Sequence, residues 1–64
     1  MNYLEYEIAH VTKERFDLVF GHLNGDLMWR RYRSAGSIDA FVRQDAEAKQ
    51  RIDLDIKTLT QRPN

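Results

Sequence analysis

Between Asp39 and Lys57, every charged residue with a charged neighbour four positions on is matched there by the opposite sign. Asp39, Arg43, Glu47, Arg51 and Asp55 make one such ladder, and Asp45, Lys49, Asp53 and Lys57 make the other. Residues four apart stack on one side of an α-helix, where each acid–base pair contributes about 0.2–0.5 kcal/mol. Two ladders without a like-charge clash constrain this stretch to a long helix. Ser37 is a good N-cap, Asp39 falls in the first turn, and Ile38, Phe41, Val42, Ala48, Ile52, Ile56 and Leu59 supply an apolar stripe. The pattern predicts one helix over about 37–60. Ile52 to Ile56 also alternates like a strand, but that would set Asp53 and Asp55 side by side, whereas the helix pairs them with Lys57 and Arg51.

The N-terminal half reads differently. Leu4, Tyr6, Ile8 and His10 alternate with Glu5, Glu7 and Ala9, and Phe16, Leu18, Phe20 and His22 alternate in the same way. Asn24-Gly25 then stands between two apolar runs, a strong hairpin signal because a type I′ turn needs φ > 0 twice. Leu27, Trp29, Arg31 and Arg33 continue as a third strand. The expected fold is α+β: a three-stranded antiparallel meander over about 3–11, 15–23 and 26–33, packed on the C-terminal helix (βββα). A competing reading makes Thr12 the cap of a helix carrying Phe16, Val19, Phe20 and Leu23, stopped by Gly25, which gives β-α-β-α-β. Against it stand Gly21 in the interior and a run rich in Val and aromatics.

Sixty-four residues make one small domain, 1–64, which buries only about 60% of its unfolded surface. With no cysteine there is no disulfide to help, so a second subunit is the expected support, and a reducing, cytoplasmic setting fits. No apolar run has the length of a membrane span. Ten basic residues balance ten acidic ones, but residues 29–33 carry +3 while residues 1–28 sum to −3.

In the βββα register, Asp45 interrupts the helix stripe opposite Arg31, which itself sits on the core face of the sheet. An Arg31–Asp45 ion pair would account for both; snorkelling of each to the sheet edge is the alternative. The helix also outruns the sheet, leaving Ile52, Leu54, Ile56 and Leu59 as an expected interface with a second copy or another protein. The other sheet face would present Tyr3, Val19, Met28, Arg30 and Tyr32 to a partner, apolar and aromatic groups beside one arginine.

Catalytic and metal-binding motifs are absent: no nucleophile–base signature, no phosphate loop, and two histidines, His10 and His22, at opposite ends of the expected sheet. The expectation is a non-enzymatic protein without cofactor or metal, a small regulator or inhibitor of the phage or mobile-element kind that binds another protein. The rival function is DNA or RNA binding through Trp29-Arg30-Arg31-Tyr32-Arg33, where guanidinium groups meet phosphates and rings stack on bases. By element order alone, a three-stranded sheet backed by a helix resembles the AP2-type and integrase arm-binding domains, which implies a sheet face inserted into a major groove. Zero net charge and the carboxylates of Glu5, Glu7 and Asp17 on that face oppose phosphate attraction.

Overall fold

Four short polar side chains set where helices begin. In the computed structural model, which describes residues 1–61, Asn2 accepts from the Glu5 N–H at 2.8 Å and opens α1 (Tyr3–His10). Thr12 accepts from the Arg15 N–H at 3.0 Å and opens α2 (Lys13–Phe20). α3 (His22–Ala35) starts instead from Gly21 and ends at Gly36. Ser37 accepts from the Ala40 N–H at 3.1 Å and opens α4 (Ile38–Gln44). Asp45 Oδ1 accepts from the N–H groups of both Glu47 and Ala48 and opens α5 (Ala46–Thr60). Each cap satisfies first-turn donors that the helix itself leaves without partners.

There is no strand among the described residues, so the expected βββα fold is wrong and so is β-α-β-α-β. The segments read as strands 3–11, 15–23 and 26–33 are α1, α2 and α3, and the likeness in element order to sheet-based DNA-binding domains goes with them. Thr12 does cap a helix, but that helix stops at Phe20, and Gly25 lies inside the next one. The single helix expected over 37–60 is two helices broken at Asp45, whose backbone is extended (φ −139°, ψ 109°). An aspartate side chain that bonds the N–H groups two and three residues ahead competes with helix continuation, and here it wins. Of the ladder pairs, Asp39–Arg43 (3.1 Å) and Lys49–Asp53 (2.8 Å) close. Asp45 and Asp55 turn instead to partners on other helices.

Two glycines explain why Gly21 and Asn24-Gly25 mark no sheet. Gly21 has φ 87° and ψ 157°, a backbone region that is essentially glycine's alone, and it turns the chain sharply from α2 into α3. Gly25 is helical and buried; a Cβ there would lie 2.9 Å from the Asp17 Cα. The missing side chain lets α3 pack directly on the α2 backbone, and these two helices share the most extensive contact in the fold. Gly25→Ala should therefore destabilise the protein. Overpacking costs about 1–3 kcal/mol while alanine's better helix propensity returns about 1 kcal/mol, so a net loss of up to about 2 kcal/mol is expected in urea titration. A gain in stability would show that the two helices are not in close contact there.

The core gathers one face from every helix: Tyr6, Phe16, Phe20, Met28, Ile38, Phe41, Val42, Ala48 and Ile52. Phe16 is at its centre, with ring centroids 5.0–5.8 Å from those of Trp29, Phe20, Tyr32 and Phe41. α1 lies against α4, and α2 also reaches α5. Between α1 and its neighbours the contacts are polar as well as apolar. Glu7 Oε1 accepts from the Ile38 N–H at 2.7 Å, adding a second acceptor to the start of α4, and the Tyr32 hydroxyl donates to Oε2 at 3.3 Å.

Candidate partner-binding surface

Around α3, 100° per residue separates two faces. Met28 is buried and Tyr32 half-buried toward the core, with Gly25 toward α2. On the opposite side Leu23, Leu27, Arg30, Arg31 and Ser34 follow one another at helical spacing, all exposed. Leu23 is 85% exposed and Leu27 37%, one turn apart, and the arginines continue the same row. Beside its C-terminal end, Arg31, Ser34, Phe41, Gln44 and Asp45 line an open depression of about 250 Å³. The row is thus aliphatic at one end and cationic at the other, with a recess along its flank.

Arg31 and Asp45 meet at 2.9 Å, Asp45 using Oδ2 for the guanidinium while Oδ1 caps α5. The pair ties α3 to the α4–α5 junction rather than a sheet to a helix. Of the residues expected on a recognition face, Arg30 is exposed. Met28 is 2% exposed and in the core; Val19, Tyr3 and Tyr32 are half-buried at its edge. A period-two pattern had placed these five together, and the helical period disperses them. Ile52 is fully buried in this chain's own core, and Ile56 and Leu59 pack against it, so only Leu54, 59% exposed, is left of the expected overhang. No helix runs past a sheet, because α5 packs on α4 and α2 and is bonded to α1.

The remaining charged groups hold helices together. Asp55 accepts from the Tyr6 hydroxyl at 2.7 Å and takes both Nε (3.0 Å) and an Nη (2.5 Å) of Arg15, joining α1, α2 and α5. Burial opposes ionisation of Asp55, but the Arg15 and Tyr6 hydrogen bonds outweigh it and hold the carboxyl below its usual range. Burial first, then the Asp55 carboxylate, pushes the Tyr6 phenol well up. Nearby, the Tyr3 hydroxyl donates to Asp53 at 2.5 Å and Lys49 bonds both. Here too burial resists ionisation of Asp53, while Lys49 and Tyr3 prevail and keep its carboxyl low. Lys13 bridges Asp17 and Asp26, each at 2.7 Å, across α2 and α3, and its ammonium pKa is raised by those two bonds.

His10 stands against the Tyr6 ring, centroids 5.9 Å apart, whereas His22 is at the exposed start of α3, 3.6 Å from Asp17. No cluster of three metal-ligating side chains occurs among the described residues, and every buried side-chain polar atom among them has a partner. No helix among them is long and apolar enough to cross a membrane. The basic–aromatic segment is also sorted by the helix: Trp29 and Tyr32 turn partly inward, while Arg30, Arg31 and Arg33 are exposed.

Leu23 and Leu27 escape a sequence reading based on strands. The signal for them is present all the same: two large aliphatics four apart, on the side of a helical wheel opposite Met28 and Tyr32. The chain matches no protein-family model, no curated protein and no solved structure.

Proposed function

We propose that this chain is a small non-enzymatic binding module, cytoplasmic, that regulates or inhibits another protein by docking the outer face of α3 on it. The observation that carries this reading is the row Leu23, Leu27, Arg30 and Arg31, in which an 85%-exposed leucine begins a stripe whose four residues are all exposed among the described residues. Exposed aliphatics in register with arginines suit a protein partner: the aliphatics desolvate, and arginine is enriched at the residues that dominate protein–protein affinity. The complementary partner presents apolar side chains bordered by carboxylates. Asp55 with Tyr6 and Arg15, and Glu7 with the start of α4, spend their polar atoms on contacts between helices, which supports a non-catalytic role.

The test is capture of a partner by the immobilised chain from nuclease-treated lysate, comparing it with a Leu23→Ala, Leu27→Ala double variant. Expected is loss of the captured protein by the variant, at least tenfold, with an unchanged melting temperature. Equal capture by both would remove α3 as the docking face. Salt separates the rival class. Three arginines on phosphates would lose about 40-fold in affinity between 50 and 200 mM salt, whereas a protein contact with one or two carboxylates should lose less than about fivefold. In untreated lysate, capture that falls steeply with salt and is abolished by nuclease would identify nucleic acid as the ligand.

A further inference from the structure

α1 carries a second uncovered face. Leu4 and Ile8 lie one turn apart, 67% and 78% exposed, with Glu5 exposed between them. This is the chemistry the α3 face calls for: an aliphatic pair of the same length, bordered by an acid where α3 has a base. The other charges nearby are already engaged. Glu7 is taken by Tyr32 and the start of α4, and Arg31 is turned to Asp45. Glu5 and Arg30 have no ion-pair partner among the described residues.

We infer that, when no other protein holds it, the α3 face takes a second copy of this chain, which presents the outer face of α1. The inference rests on the reading of α3 as a docking surface and names its partner. Like faces do not pair well, since two α3 rows side by side would oppose arginine to arginine when parallel and Arg31 to Leu23 when antiparallel. The contact is therefore between unlike faces, α1 of one copy on α3 of the next. Two rows of two helical turns each cover less than the roughly 1,200 Å² of a standard stable interface, so association is weak and shows only at high concentration.

Sedimentation of the full chain up to about 1 mM at low salt tests this, since interfaces of this size hold only at high concentration. One variant carries Leu4→Gln with Ile8→Gln, the other Leu23→Gln with Arg30→Glu. The unaltered chain is expected to gain mass with concentration, and each variant to remain monomeric. An equimolar mixture of the two variants should associate again and stop at a 1:1 dimer, because each contributes one intact face. Circular dichroism and melting temperature verify that both variants fold, and alanine at the four positions replaces any variant that does not.

A mixture of folded variants that stays monomeric overturns the inference, as does an unaltered chain that stays monomeric throughout. If the α1 variant associates like the unaltered chain while the α3 variant does not, α1 is not the occupant and the docking role of α3 stands. If neither variant alters association, this chain pairs through some other face and the inference fails; partner capture then judges α3 on its own.

Discussion

Replacing Phe16 by alanine should cost this protein about 3–5 kcal/mol of stability, the largest loss expected of any single truncation. Its side chain is fully buried and meets four other rings, two of them on α3, one on α4 and one on its own helix. Truncating a buried phenylalanine costs about 3–5 kcal/mol, the removed transfer energy plus the cavity left behind. A domain of this length has only about 3–10 kcal/mol of stability, so the change takes from about a third to all of it. Trp29, the single tryptophan, stands edge-on to Phe16 at 5.0 Å and reports the event directly by fluorescence. Phe16→Leu, which keeps most of the volume, should cost clearly less. If Phe16→Ala loses under about 1 kcal/mol, the aromatic cluster is not the centre of the core.

The same cluster shows how much of the fold the residues announce. All four side-chain caps sit at the boundaries their residue types favour: Asn2, Thr12, Ser37 and Asp45 each precede a helix. What hid the first three helices was apolar residues on solvent faces. Leu4 and Ile8 point away from the core while Tyr6 and His10 point toward it, so α1 reads as a perfect alternation. Leu18 does the same to α2, between buried Phe16 and Phe20. A period of two appears whenever a helix carries aliphatics on its wet side, and local pattern has no means of telling burial from exposure. Asn24-Gly25 completed the illusion, because glycine's usefulness in a turn and its usefulness in a close helix crossing look alike in sequence.

The site was obscured by the same residues that obscured the fold. Exposed leucines and isoleucines cost nothing to folding if they are left wet, but they make poor surface residues unless something covers them. Leu4 and Ile8 on α1, Leu18 on α2 and Leu23 on α3 are the positions where sequence patterning conflicts most with the structure. Such conflicts between local pattern and final fold concentrate at functional positions. Asp45 is a conflict of another sort. Its place in the charge ladder favoured a continuous helix, yet one carboxylate serves both as the cap of α5 and as the partner of Arg31. Those tertiary bonds outweigh a surface pair with Lys49 that would contribute only about 0.2–0.5 kcal/mol.

Asp55→Ala is the second large loss expected, and its pH dependence identifies the cause. The side chain is 10% exposed and the only acceptor shared by Tyr6 and Arg15. Removing it strands a buried phenol and a guanidinium. Breaking a fully buried pair costs about 3–5 kcal/mol, and because a quarter of the Arg15 side chain remains in water the loss here should be about 2–3 kcal/mol. Asp53→Ala, at a carboxylate 44% exposed, should cost well under half of that. The Asp55 carboxyl is depressed in the folded state, so its contribution is complete above the unfolded value near 3.8 and disappears as pH falls through the lower folded one. The difference between the unaltered chain and Asp55→Ala should accordingly be constant from neutrality to about pH 5 and narrow below pH 4. Tyr6 has the opposite sign: its raised pKa favours folding while the phenol is neutral, and stability falls as pH rises past 10.0, where the unfolded chain ionises. Burial is the first cause of that shift, so the alkaline decline should persist in Asp55→Ala while the acid-side difference vanishes. An acid-side difference that fails to narrow would mean that the Arg15–Asp55 contact adds nothing through charge.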